Sequence, residues 1–279
     1  MKQLTGLIRL LFVNSYSTIG TVIILFWIFC SVFAGFVATH NPYEIYSPFI
    51  ETWGMDGDDL HILGTDSIGR DIFSRIIFGA RTVLLWAPLA TGIAYVIGIV
   101  PGLFAGYLGG RTDDVLSYIA NIVLSFPVMV LYILILTLIG SSGVNILLAV
   151  IFASSPAIYR IVRAKTLELA PKTFVQAARV RGEHPVYILF VEILPNASTP
   201  LIIDFCLRMG YTTITIGVLG FLGLGFPPPT ADWGGMISEN KDLAMSFPFM
   251  TIWPCLAISS FVLGLNLLAD GLKQYFEIN

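Results

Sequence analysis

From Val115 to Tyr159 the sequence runs for 45 residues without one Asp, Glu, Lys or Arg. As a single helix this stretch would be about 68 Å long, more than twice the roughly 30 Å hydrocarbon core of a bilayer. It must therefore turn back on itself, and Gly140–Gly143 (GSSG) is where it divides into two spans. Within the first of these, Leu124–Pro127 (LSFP) places a proline that predicts a kink. The rest of the chain has the same character. Of its 279 residues 56% are hydrophobic and 12% charged, against roughly 25% charged in a soluble domain. The predicted fold class is an all-α polytopic membrane protein.

Six transmembrane helices follow from the apolar runs. The first, about Thr18 to Ala38, is preceded by Lys2 and Arg9. It exceeds the roughly 7–15 apolar residues of a secretory signal, so it reads as an uncleaved span that starts in the cytoplasm. His40 to Arg81 is polar and acidic (Glu44, Glu51, Asp56, Asp58, Asp59, Asp66, Asp71) and reads as an extracytoplasmic loop. Near its end Asp66 or Thr65 is placed to cap a helix, and Arg70 and Asp71 to pair locally.

Thr82 to Gly110 is the second span. Gly98, Gly102, Gly106 and Gly110 recur every four residues and form a smooth strip, suited to close helix packing or, on another reading, to lining a substrate path. A short turn at Arg111–Asp114 follows. The fourth span ends near Arg160, where Arg163, Lys165 and Lys172 mark a cytoplasmic loop.

The fifth span, about Ser198 to Phe221, contains Asp204 and Arg208 one helical turn apart, so that each neutralises the other on one face. Ionisable residues inside a span face a bundle interior or a wet cavity, which makes the pair a candidate for the translocation pathway. A structural pair near the interface, with Arg208 snorkelling, is the other reading. Pro227–Pro229 forbid a regular helix, and Trp233 suits the membrane interface. The last span, about Pro248 to Ala269, returns the tail to the cytoplasm, so both termini are expected there.

Several chemistries find no support. Cys30, Cys206 and Cys255 are odd in number and lie within apolar runs, which argues against a disulfide framework. His40, His61 and His184 are far apart, so no metal site is expected. With a net charge of -3 and no basic stripe, nucleic acid is not an expected partner. There is no GxxxxGK[ST] nucleotide loop and no nucleophile–base constellation at motif spacing, so no catalytic residue and no bound cofactor is expected.

The remaining constraint is Phe174–Pro195, FVQAARVRGEHPVYILFVEILP. Thr173 to Arg181 reads as a short helix, Gly182 as its left-handed stop and Pro185 as the start of a second helix. Ala177 and Ala178 leave one face nearly flat for a partner, with Arg179 and Arg181 flanking the contact. Gln176, Ala177, Ala178, Gly182, Leu194 and Pro195 follow a spacing that resembles the EAA loop of the membrane-spanning subunits of ATP-binding-cassette importers. Gln176 replaces that loop's glutamate, and Glu192 stands where an apolar residue is usual.

Leu63–Arg81, LGTDSIGRDIFSRIIFGAR, resembles a block of the dipeptide, oligopeptide and nickel branch of these permeases. Leu124–Pro127, Phe221–Met236 (FLGLGFPPPTADWGGM) and Asn266–Leu272 (NLLADGL) resemble that branch in order. The Leu63–Arg81 block itself suggests no chemical task.

The resemblance implies a type I importer-like permease fold, the C-type member of a permease pair, in one transmembrane domain over residues 1–279. Residues 1–62 would hold the first helix and the start of the outer loop, and residues 63–279 the core, with a coupling loop at about 165–195. The implied partners are a second homologous permease, two ATPase subunits that bind ATP and magnesium, an extracytoplasmic solute-binding protein and membrane lipid. The implied substrate is a peptide, although the branch also carries nickel complexes, opines and some sugars. The alternative is an ion-gradient-driven secondary transporter, which would need coupling-ion sites near the midplane.

Overall fold

The computed structural model describes residue 12 and residues 14–278; the basic flank at Lys2 and Arg9 lies outside them. Helix α1 (Ser15–Val32) starts at Asn14, whose Oδ1 accepts from Ser17 N at 2.8 Å, and a four-residue helix α2 (Ala34–Val37) follows. The acidic loop then forms a hairpin of β1 (Gly54–Asp56) and β2 (Asp59–His61), antiparallel with Met55 opposite Leu60. Gly57, at φ +60°, supplies the positive φ that such a two-residue turn needs.

Helix α3 (Ile72–Leu108) is a single 37-residue rod, about 55 Å long. Its N-terminal cap is Asp71, whose Oδ2 accepts from Ser74 N at 2.8 Å. Asp66 instead caps the turn before it, accepting from Ile68 N and Arg70 N at 3.0 and 2.9 Å. The rod ends two residues earlier than the sequence suggests. Gly109 and Gly110 take φ of +64° and +55°, so Gly110 leaves the glycine strip, and Arg111–Asp114 lies inside helix α4 (Gly110–Leu124) and not in a turn.

The proline at Pro127 does more than kink the third span. Helices α4 and α5 (Val128–Ile139) are separate and bent by 81°. Asn145 Nδ2 closes the Gly140–Gly143 turn by donating to Ile139 O and Gly140 O, both at 2.9 Å.

Helix α6 (Gly143–Leu169) leads to α7 (Thr173–Val180), then a short α8 (Pro185–Tyr187) and a π-helical stretch Ile188–Ile193 that continues into α9 (Leu194–Phe221). The fifth span is therefore helical from Pro185 and not from about Ser198. Helix α10 (Trp233–Asn240) and the long α11 (Phe249–Ile278) complete the chain. Among the described residues five helical stretches are long and apolar enough to cross a membrane, and the bent pair makes a sixth if it counts as one span. Cys30, Cys206 and Cys255 are free thiols.

Contacts divide the chain into two interleaved units. One takes the residues up to Pro88, Leu136–Ile146 and Cys206 onwards; the other takes Leu89–Ile135 and Leu147–Phe205. In the first, α1 and α11 meet through small residues. A Cβ on Gly20 would lie 2.5 Å from Gly264 O, and one on Gly271 would lie 2.5 Å from Ser17 Cβ.

In the second unit the glycine strip of α3 packs on α6 with a matching four-residue step. Cβ atoms on Gly98, Gly102 and Gly106 would come within 2.6–2.8 Å of Ile158, Val162 and Thr166. Lipid offers no hydrophobic drive for helix pairing, so such backbone-to-side-chain contact is where packing energy is gained. Packing, not a pathway, accounts for these three glycines.

Candidate functional site

The elbow at residues 173–193 is built from helix-end chemistry. Gly182 N donates to Arg179 O at 3.0 Å, Glu183 N donates to Ala178 O at 3.2 Å, and Gly182 sits at φ +77°. These two bonds and the left-handed residue form a Schellman stop. His184 then caps the next helix, its Nδ1 accepting from Val186 N at 3.3 Å, with Pro185 in the first helical position.

The flat face expected of Ala177 and Ala178, with Arg179 and Arg181 flanking it, is divided in the structure. Ala178 is fully buried against Val175, Ile188 and Leu189, while Ala177 is exposed. The exposed stripe is Thr173, Gln176, Ala177 and Val180, at helical i, i+3, i+4, i+7 spacing, and Val180 is 89% exposed.

Both arginines turn back onto their own unit. Arg179 Nε donates to Tyr107 Oη at 3.1 Å with its guanidinium 4.5 Å from that ring's centre. Arg181 Nη2 lies 3.2 Å from Glu192 Oε1 and its Nε 3.6 Å from Glu183. The carboxylate missing at 176 thus has a counterpart at 192, across the elbow. Gln176 Nε2 instead donates to Ala170 O at 3.1 Å, where α6 ends. Leu194 is half-buried and Pro195 exposed, both in the first turn of α9.

Asp204 and Arg208 are both half-buried on α9. Asp204 accepts a hydrogen bond from the Tyr95 hydroxyl of α3, a partner that the i, i+4 spacing does not reveal. Tyr95 also stacks edge-on to Phe205 at 5.2 Å and, with Ile99, Leu201 and Ile202, lines an apolar cavity of about 240 Å³. A mid-span tyrosine whose hydroxyl needs a partner was the available signal.

A second constellation gives the LGTDSIGRD block a task. Gly64 and Gly69 are pressed against the preceding loop, where Cβ atoms would meet Ile50 O at 2.4 Å and Tyr46 O at 2.1 Å. Arg70 pairs with Asp66 at 2.7 Å and with Glu239 of α10, and not with Asp71 as its spacing suggested. Arg75, buried on α3, reaches Glu239 at 3.4 Å.

Ser67 N donates to Asn240 Oδ1 at 3.2 Å and Thr82 Oγ1 to Ala231 O at 2.8 Å. Trp233, expected at the membrane interface, is fully buried. Its Nε1 donates to Ile76 O at 2.9 Å, and the ring fills the space that Gly79 leaves free. Two sequence blocks about 160 residues apart thus form one clasp. In it Asp232 caps α10 through Gly235 N at 2.9 Å, and burial pushes its carboxyl up to about 6.

The fold also brings together two histidines that looked unrelated. His61 Nδ1 lies 2.8 Å from Asp71 Oδ1, and His40 stacks on His61 at 4.5 Å and 23°. Ligand atoms of His40, His61 and Asp71 lie within 4.8 Å of one another. Near-parallel rings keep their lone pairs in separate planes, so the arrangement works as a staple between the loop and the start of α3.

Residues 98–278 match the family described as binding-protein-dependent transport system inner membrane components. The chain belongs to this family. The permease is 36% identical over 264 residues to the dipeptide transport system permease protein DppC of Alkalihalophilus pseudofirmus, covering 95% of this chain and 86% of that protein. It is 34% identical to the di/tripeptide transport system permease protein DppC of Pseudomonas aeruginosa, covering 92% and 86%. With the glutathione transport system permease protein GsiD of Escherichia coli O157:H7 it shares 37% identity, covering 92% and 84%.

Among solved structures, a chain of the MetNI methionine ABC transporter in an inward-facing conformation aligns at a TM-score of 0.57 and 18% identity, over 73% of this chain and 95% of that one. That likeness shows a shared type I permease fold. The permease is a multi-pass inner-membrane subunit of an ABC importer and a transport component, not an enzyme.

Proposed function

We propose that this permease forms half of the pathway of a peptide importer and takes its drive from ATPase subunits through helix α7. The observation that carries the reading is the elbow itself, a short capped helix with a neutral exposed stripe, Thr173, Gln176, Ala177 and Val180, ending in an unburied valine. An amphipathic helix presented in this way suits docking in a groove. Arg160, Arg163, Lys165, Lys172, Arg179 and Arg181 surround it, while residues 40–69 hold acids and no Lys or Arg. The positive-inside rule then puts the elbow in the cytoplasm and the acidic loop outside.

The complex would hold a second, similar permease, two ATPases that bind ATP and magnesium, and a solute-binding protein. Peptides are the favoured substrate because the relatives are named for dipeptide, di/tripeptide and glutathione transport. Asp204, held by Tyr95, and Arg208 are the candidate pathway residues. The partner-facing residues are Gln176, Ala177 and Val180. Ala178, Arg179, Arg181 and Gly182 shape the helix, and Leu194 and Pro195 begin the span that receives its motion.

Purifying the tagged chain in mild detergent and identifying its companions by mass spectrometry tests the assembly. A Val180→Cys variant should cross-link to an ATPase subunit at short reagent length. Recovery of the chain alone, with uptake indifferent to ATP depletion, would sink the reading.

A further inference from the structure

Helices α1 and α11 change from apolar to polar at the same level. On α11 the uncharged run from Phe249 to Ala269 stops at Asp270, and Lys273 follows three residues on. Gly20 packs on Gly264 and Gly271 on Ser17, so the two helices are antiparallel and Tyr16, at the start of α1, stands at that same boundary. Asn14 ties the ends together, its Nδ2 donating to Gly271 O at 3.0 Å and to Gln274 Oε1 at 3.4 Å.

Beside that tie lies a recess of about 420 Å³, lined by Tyr16, Leu267, Asp270, Lys273 and Gln274. One water needs only roughly 10–15 Å³ of such space, so the recess takes a larger guest. Its mouth is polar and carries a tyrosine, the side chain suited to the membrane–water boundary. Its apolar continuation points into the bilayer: one turn deeper on the same helix faces stand Ile19, 51% exposed, and Leu263, 53% exposed. A polar head above an apolar track is the form of a phospholipid.

Charge selects the headgroup. Lys273 attracts a phosphate, while Asp270 in the same recess repels a purely anionic head. Sites for anionic lipids are clusters of basic residues, and one acid with one base is not such a cluster. The pair calls for a zwitterion whose ammonium carries N–H groups for the carboxylate, which a choline head lacks. We propose that the recess between α1 and α11 holds the headgroup of a phosphatidylethanolamine, with its ammonium on Asp270, its phosphate on Lys273 and an acyl chain along Ile19 and Leu263.

Native mass spectrometry of the whole transporter, titrated in mild detergent with defined phospholipids, tests this. Affinity for phosphatidylethanolamine should fall at least about tenfold in Asp270→Asn and in Lys273→Gln. Phosphatidylglycerol should bind wild type more weakly than phosphatidylethanolamine and should bind Asp270→Asn better than wild type. Leu267→Trp fills the recess and keeps both charges, so it should exclude the lipid while assembly with the ATPases is unchanged. Equal phosphatidylethanolamine binding in wild type and all three variants would overturn the proposal, as would equal binding of phosphatidylglycerol to wild type. Displacement of the lipid by phosphoethanolamine at equal concentration would make the site one for a soluble ligand. Lipid binding only after deletion of residues 2–11 would assign the recess to that segment, and efficient cross-linking of Tyr16→Cys to the second permease would make it a subunit interface; either would refute the lipid site.

Discussion

The clasp and the elbow both use charged residues, and they use them in opposite ways. In the clasp Asp66 and Arg75 are 2% exposed and Arg70 8%, and their partner Glu239 lies more than 160 residues further along the chain. In the elbow Arg181 pairs within 11 residues and its side chain stays 53% exposed. Buried ions in the first case are tolerable only because partners from both blocks are present, so the clasp is complete within this chain. The elbow leaves its stripe and Val180 open, as the proposed docking requires. The clasp should therefore govern stability and the elbow should govern coupling.

The largest effect is expected at Arg70. Replacing it with Met leaves Asp66 buried and Glu239 without its closest partner, and breaking a buried pair from one side costs about 3–5 kcal/mol. Arg75→Met should cost less, because Nε and Nη1 of Arg75 make no hydrogen bond, Nε only facing Asp66 at 4.0 Å, and their desolvation is recovered. Thermal unfolding of the purified complex measures both; equal losses would mean that position, not pairing, holds the clasp.

A pH effect of similar size is expected at Asp232. Its folded carboxyl titrates at about 6 instead of 3.8, so burial favours the protonated form. The stability this group contributes is full at low pH and is lost as pH rises through about 6, on the order of 3 kcal/mol in all. Asp232→Asn keeps an oxygen for Gly235 N and removes the titration. Its unfolding should be flatter between about pH 3.5 and 6.5, a range that brackets the two values. A variant as pH-dependent as wild type would place the titration elsewhere.

Much of the elbow was legible because it obeys local rules. The helix over 173–181, the glycine stop and the Pro185 start depend on residues within one or two turns, and the structure has all three. What the sequence could not show is which side of a short helix faces inward. Ala178 and Arg179 are placed by Leu189 and Tyr107, which come from other parts of the chain.

The clasp was missed for the same reason, since nothing local links Arg70 to Glu239, and the adjacent Asp71 looked like the obvious partner. The spans were readable from apolar length. Their ends were less so, because Gly109 and the helical start at Pro185 are set by backbone geometry that hydropathy does not carry.

A smaller effect is expected at Gly182. A Cβ there would meet nothing within 4 Å, so space is no obstacle, but φ of +77° strains any residue with a side chain. Gly182→Val should cost about 1–2 kcal/mol, confined to the elbow, and Gly182→Asn less, since Asn tolerates the left-handed region. Uptake per ATP hydrolysed should fall in the order glycine, asparagine, valine while membrane insertion is unchanged. Normal uptake with valine would remove the Schellman stop from the coupling mechanism.

The smallest stability effect and the most informative one belongs to Arg181 and Glu192. An exposed ion pair contributes less than about 1 kcal/mol, so neither Arg181→Ala nor Glu192→Ala should change thermal unfolding measurably. If the pair sets the angle between α7 and the π-helical start of the next span, each single variant should still assemble with the ATPases yet transport less substrate per ATP. The exchange Arg181→Glu with Glu192→Arg rebuilds the attraction in reverse and should restore that ratio. Glu183, 3.6 Å from Arg181, would then repel a new glutamate at 181, so restoration should be partial and should improve when Glu183→Gln is added. If Arg181 is instead a docking charge for the ATPase, the exchange will not restore coupling, and Arg181→Ala alone will weaken assembly. Either result separates an elbow stiffened from within from one whose arginine belongs to the partner's surface.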